Sequence, residues 1–131
     1  MSPHSSLAGL RILVIEDDPV MQDILSHRFS PEGVEIRMAE NGTKGKEEMS
    51  AFKPDIVLLD LLLPGEDGFA VLEAAKANPE TKSIPIIVLS NLAQTKEVER
   101  GIRLGAAAYL VKTNVTPSQI VEEVKRVLGK S

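Results

Sequence analysis

The stretch RILVIEDDPV, residues 11–20, joins an apolar run, Ile12 to Ile15, to three consecutive carboxylates, Glu16, Asp17 and Asp18, and then Pro19. The run is too short for a helix and too continuous for a half-exposed strand, the pattern of a strand covered on both faces of a parallel sheet. It recurs as DIVLLD at 55–60, IPIIVL at 84–89 and AYLV at 108–111, while VEIRMA at 34–39 alternates apolar and polar residues as an edge strand does. Helical spacing fills the gaps. Val20, Met21, Ile24, Leu25 and Phe29 form one stripe, with Asp18 placed to cap it and Pro19 at its first position. Further helices are expected at 43–52, 68–77, 95–104 and 116–128. Thr116 and Gln119 stand at capping-box spacing, and Gly105 is placed to stop the fourth helix. Five strands alternating with five helices imply right-handed crossovers and a doubly wound five-stranded parallel α/β sheet.

Composition narrows the classes. A chain of 131 residues suits one domain, and residues 1–9 are expected to be a flexible tail ahead of a domain at 10–131. The absence of cysteine excludes disulfides and thiolate metal sites. A net charge of −4 argues against nucleic acid as a direct partner. No apolar run approaches the roughly 20 residues that span a bilayer, so no membrane partner is expected. The start, MSPHSSLAG, has no signal-peptide pattern, and the expected location is cytoplasmic.

In open sheets of this kind the functional crevice lies at the carboxyl ends of the strands. There the first strand presents Glu16, Asp17 and Asp18, the third Asp60, the fourth Ser90 and Asn91, and the fifth Lys112. Two carboxylates about 5 Å apart repel by roughly 3 kcal/mol at an effective dielectric near 20. A proton held at raised pKa relieves this, and so does a hard cation such as Mg²⁺. A metal, a lysine and a hydroxyl converging on one place would hold an oxyanion, and phosphoryl groups are the usual occupants of such clamps. Asp60, at the central strand, could be the nucleophile that accepts one. Asp18, next to Pro19, reads better as a helix cap than as part of this set.

These motifs together resemble the CheY-like receiver domains of two-component response regulators. ILVIED is similar to the family's first strand with its acidic pair, and PDIVLLDLLLPGEDG to its phosphoacceptor strand and loop, with proline four residues past the aspartate. IPIIVLSN is similar to the strand ending in Ser/Thr, and GAAAYLVKT to the strand with an aromatic three residues before a lysine. The resemblance runs over roughly residues 10 to 129 and implies strand order 2-1-3-4-5. It implies phosphorylation at Asp60, with Ser90 and Lys112 holding the phosphoryl group. It also implies Mg²⁺, replaceable by Mn²⁺, on Asp17, Asp60 and the backbone carbonyl of Leu62, with Glu16 acting through a metal-bound water. Tyr109 is the implied switch aromatic, moving with Ser90. The implied partners are a sensor histidine kinase or histidine phosphotransfer protein as donor, and a protein target that reads the fourth helix, fifth strand and fifth helix. A phosphorylation-dependent homodimer is a further expectation.

There are three departures from the family pattern. Thr113 follows Lys112 where a cis-proline is usual, and since a cis bond before another residue costs about 2.5–4 kcal/mol, a trans loop is expected. Asn91 stands where a small residue is common. Leu62 and Leu92 occupy the two variable positions beside the phosphoryl group; neither can orient water, so slow loss of the phosphoryl group is expected. The chain is thus read as a phosphoacceptor switch rather than a turnover enzyme. The alternatives are a receiver excised from a longer regulator or hybrid kinase, and a Mg²⁺-dependent phosphatase. The latter needs an acid two residues past Asp60, where Leu62 stands.

Overall fold

The computed structural model describes residues 5–131. Five strands, β1 (Arg11–Ile15), β2 (Glu35–Ala39), β3 (Ile56–Leu59), β4 (Ile86–Ser90) and β5 (Ala108–Val111), form one parallel sheet in the order β2-β1-β3-β4-β5. Five helices alternate with them: α1 (Pro19–Phe29), α2 (Gly42–Phe52), α3 (Gly68–Ala77), α4 (Thr95–Arg103) and α5 (Pro117–Leu128). Strands β1, β3 and β4 are buried along almost their whole length, because helices cover both faces. One core layer joins Leu13, Ile15, Val57, Leu59 and Val88 to Met49, Phe69 and Leu72 from α2 and α3. The other joins Ile12, Val14, Leu58 and Leu89 to Leu25 and Phe29 of α1 and Ile120 and Val124 of α5. Alternate residues of each strand therefore feed opposite layers, as the two-residue period of a strand requires.

The fifth apolar run departs from its sequence reading. AYLV is the second edge of the sheet, and within it only Ala108 is buried. Tyr109, Leu110 and Val111 are half-buried, whereas every residue of β3 is buried.

Helix boundaries follow local chemistry. Asp18 accepts a hydrogen bond from the Val20 amide at 3.0 Å, with Pro19 inside the first turn, as a cap should. The Thr116/Gln119 box closes reciprocally, at 3.1 and 2.8 Å. α4 carries a second such box, Gln94 with Glu97, and stops at Leu104 before Gly105, whose φ is +111°. α2 begins at Gly42, one residue earlier than its pattern indicates, because Asn41 accepts from the Lys44 amide at 2.8 Å.

The expected tail is docked from Ser5 onward; residues 1–4 lie outside the described residues. Leu7 is fully buried in the layer of α1 and α5, and the Ser5 hydroxyl donates to Glu32. A single leucine in a polar segment has no periodicity to announce it, yet burying it stabilises the docked segment by about 1.5–3 kcal/mol. The segment ends with the Gly9 amide donating to the Gly33 carbonyl at 2.9 Å.

Candidate functional site at the carboxyl edge

Register brings the site together. Ile15 pairs with Leu59, and the Asp60 amide donates to the Ile15 carbonyl at 3.0 Å, so Glu16 and Asp60 leave adjacent strands side by side. β4 delivers Ser90 next to them, and Ser90 pairs with Val111, the residue before Lys112. Glu16 and Asp60 are almost fully buried, at 2 % and 4 % exposure, Ser90 is at 0 %, and Asp17 is exposed at the rim.

Lys112 reaches into this group and bridges two carboxylates, with Nζ 2.6 Å from Glu16 Oε1 and 2.8 Å from Asp60 Oδ2. No peptide bond among the described residues is cis, so the Lys112–Thr113 bond is trans, and it lies within a 3-10 turn over Lys112–Asn114. The missing proline does not prevent the lysine from reaching Asp60. The other oxygen of Asp60, Oδ1, accepts from the Leu62 amide at 3.0 Å. Glu16 accepts from the Asp18 amide at 3.1 Å, so its carboxylate is oriented by the chain turn that starts α1.

The charge balance is lopsided. Glu16, Asp17 and Asp60 each bring one oxygen into a group whose atoms lie within 4.8 Å of one another, and Lys112 is the cation that pairs with two of them. Burial pushes the Glu16 carboxyl upward, and the charge of Asp60 adds to this, against the opposing pull of Lys112. For Lys112, burial works downward, but its hydrogen bonds to Asp60 and Glu16 outweigh it and the ammonium is held above the ordinary lysine value. Three hard carboxylate oxygens that close together fit a small divalent cation.

The loop after β3 is shaped for this edge. Leu62–Leu63 pairs with Glu66–Asp67 in a two-residue antiparallel ladder, turned by Pro64 and by Gly65 at φ +70°. Pro64 followed by Gly65 at positive φ is the type II arrangement, in which the third residue needs that φ. Asp67 then caps α3 through the Phe69 amide at 2.9 Å. Sequence periodicity misses this ladder because two residues are too few to show a period. Leu62 is exposed at the mouth of the site and Leu92 half-buried beside it.

Tyr109 lies apart from the carboxylates, on β5. Its hydroxyl donates to the Leu92 carbonyl at 2.6 Å, and the Leu92 amide donates to Ser90 Oγ at 3.4 Å. Burial pushes the phenol upward, with the charges of Glu97 and Asp60 adding to it. Of the residues singled out from the sequence, Glu16, Asp17, Asp60, Leu62, Ser90 and Lys112 therefore share one edge, and Tyr109 connects to Ser90 through one loop residue. Asp18 turns away as a cap.

A doubly wound sheet with three clustered carboxylates and a lysine at its carboxyl edge defines a class: switch domains of the receiver fold. The comparisons make the assignment specific, since the profile of the response regulator receiver domain matches residues 12–125. The chain belongs to that family. It is 35 % identical over 117 residues to the DNA-binding dual master transcriptional regulator RpaA of Synechocystis, covering 89 % of this chain and 47 % of that protein. It is 32 % identical over 119 residues to protein PilH of Pseudomonas aeruginosa, covering 91 % of this chain and 98 % of that one. The receiver domain of a signal transduction histidine kinase from Syntrophus aciditrophicus superposes with a TM-score of 0.83 at 29 % identity, over 92 % of this chain and 91 % of that one. The chain spans about half the length of the first curated relatives it matches, RpaA among them. Among the described residues no helix is long and apolar enough to cross a membrane.

Proposed function

We propose that this receiver domain is a phosphoacceptor switch in which Asp60 takes a phosphoryl group from a phosphohistidine on a sensor histidine kinase or histidine phosphotransfer protein. The observation that carries this reading is the Lys112 bridge to both Glu16 and Asp60 inside a three-carboxylate cluster. In the transfer, the bond from phosphorus to the donor histidine nitrogen breaks as one from phosphorus to an Asp60 carboxylate oxygen forms, and the imidazole leaves with the electron pair. Asp17, Asp60 and the Leu62 carbonyl would hold Mg²⁺ or Mn²⁺, with Glu16 contributing through a water. The ion supplies charge neutralisation at the transferring oxygens. Lys112 and the Ser90 hydroxyl take the remaining phosphoryl oxygens.

The added charge biases an equilibrium between two arrangements of one fold. Tyr109 follows Ser90 through Leu92, and the surface of α4, β5 and α5 carries the change to a protein target, with a phosphorylation-dependent homodimer as one form of that contact. The setting is the cytoplasm, where the donor proteins act, and no nucleic-acid or membrane contact is assigned to this domain. Turnover catalysis is not part of the role beyond the domain's own phosphotransfer and slow loss of the phosphoryl group. The domain, whose core takes in Leu7 of the docked amino-terminal segment, acts alone or as the receiver of a longer regulator or hybrid kinase.

The test is mass spectrometry after incubation with acetyl phosphate and Mg²⁺. One phosphoryl group should appear on the wild-type chain and none on a folded Asp60→Asn variant. Labelling of Asp60→Asn at the wild-type level would sink the assignment. Capture of partners by the protein with and without Mg²⁺ and beryllofluoride would then identify the target.

A further inference from the structure

Gly101 sits in the interior of α4, where glycine is less favourable than alanine because it carries the larger backbone entropy cost. The surroundings give a reason for it. A Cβ at position 101 would lie 2.8 Å from Tyr109 Cδ2 and 2.9 Å from Cε2, closer than side chains pack. The Phe69 ring stands 4.0 Å away on the next side, and the Arg100 guanidinium lies 4.3 Å from the centroid of that ring, tying α4 to the first turn of α3. The tyrosine ring thus occupies a slot that exists because residue 101 has no side chain.

The far end of the ring is fastened as well. Its hydroxyl donates to the Leu92 carbonyl, and the Leu92 amide donates to Ser90 Oγ. With that oxygen accepting from Leu92, the proton of the Ser90 hydroxyl is free to be donated to an oxyanion beside Asp60. An arrangement set before the ligand arrives spares the ligand the cost of ordering it.

We propose that Gly101 is a positioning residue for the phosphoryl site: it seats Tyr109 against α4, so that the tyrosine holds Leu92 and presets the Ser90 hydroxyl for an incoming phosphoryl group. The inference rests on the phosphoacceptor reading above and adds to it a residue on α4, outside the carboxylate cluster. Glycine at 101 does more than loosen α4. It couples the helix to the site through one aromatic ring.

The chain has one tyrosine and no tryptophan, so its intrinsic emission reports Tyr109 alone. In Gly101→Ala the ring is displaced, and acrylamide quenches it more efficiently than in the wild type. Calorimetry with Mg²⁺ and beryllofluoride shows affinity weakened by about fivefold or more, the scale of a coupling between separate sites. In a Tyr109→Leu background, with the ring gone, adding Gly101→Ala changes that affinity by less than about twofold, since the coupling has been removed. Equal loss in both backgrounds, or unchanged quenching in Gly101→Ala, overturns the proposal. Should Gly101→Ala alone fail to fold, the double variant is expected to fold because the obstructing ring is absent; failure of both also overturns it. Wild-type protein that does not bind Mg²⁺ and beryllofluoride would instead refute the phosphoacceptor reading, while the quenching comparison, made without ligand, still judges the seat of Tyr109.

Discussion

Two ionic clusters sit at opposite edges of the sheet, and they are built on opposite principles. At the carboxyl edge Lys112 faces Glu16 and Asp60, with Asp17 beside them, so anions outnumber the cation. At the amino edge the ratio is reversed. There Glu32 accepts from the Ser5 hydroxyl and pairs with Arg28 at 3.2 Å and Lys125 at 3.8 Å. The carboxyl at Glu32 is held below its ordinary value, first by the Ser5 hydrogen bond and then, against burial, by Arg28 and Lys125. Glu16, in the other cluster, is pushed the other way, chiefly by burial. A satisfied carboxylate fastens structure. A crowded set with too few cations stores repulsion that a bound cation can relieve, which is the character expected of a binding site.

The largest test of this contrast removes Lys112. Lys112→Ala leaves Glu16 and Asp60 buried beside each other, and breaking a buried pair from one side costs about 3–5 kcal/mol. Because Lys112 retains some solvent access, a loss of about 2–3 kcal/mol is expected in urea unfolding with chelator present. Added Mg²⁺ should restore much of it and should bind the variant more tightly than the wild type, whose lysine repels the ion. Equal Mg²⁺ affinity in the two proteins would mean that the carboxylates and Lys112 do not act as one cluster.

The same chemical change made at each edge should give opposite signs. Asp60→Asn removes one of the crowded charges while Lys112 keeps Glu16, and in chelator it should raise stability by about 1 kcal/mol. Glu32→Gln removes a satisfied carboxylate and should lower stability by about 1 kcal/mol. The second effect carries a pH signature. A carboxyl whose folded value is depressed contributes stability that is fully present above the unfolded value near 4.5 and is lost as pH falls through the lower, folded value. The gap between wild type and Glu32→Gln, measured by unfolding from pH 7 downward, should therefore persist to about pH 5 and close at more acid pH. A gap independent of pH would assign Glu32 a packing role.

How far this contrast is legible in the sequence differs between the two edges. The carboxyl edge is legible because a polar residue ends each apolar run that reaches it: Ile15 gives way to Glu16, Leu59 to Asp60, Leu89 to Ser90 and Val111 to Lys112. Strand ends are readable from hydropathy, and parallel topology then collects them at one edge. The amino edge has no such signal. Ser5, Glu32 and Lys125 come from a loop, a 3-10 turn and a helix, and only the packed fold brings them together. Leu7 is invisible for the same reason, since one apolar residue has no period. The run at 108–111 is misjudged as fully covered because apolar content does not report whether a strand has a neighbour on each side. Gly101 falls between the two cases. Its presence inside a helix can be noticed in the sequence, but only the Tyr109 ring beside it gives the reason.

The smallest expected effect leaves both clusters intact and concerns the mouth of the site. Leu62 is exposed there, and its amide already holds Asp60 Oδ1, so the side chain is free to change without disturbing the backbone contact. An apolar side chain at that position cannot hydrogen-bond a water for in-line attack on a phosphoryl group carried by Asp60. Leu62→Asn supplies an amide that can. The unfolding free energy of this variant should stay within about 0.5 kcal/mol of the wild type, as for most exposed substitutions. Loss of phosphoryl from the acetyl-phosphate-treated protein, followed by mass spectrometry over time, should be severalfold faster. An unchanged rate would place the control of phosphoryl lifetime elsewhere, with the half-buried Leu92 the next position to exchange.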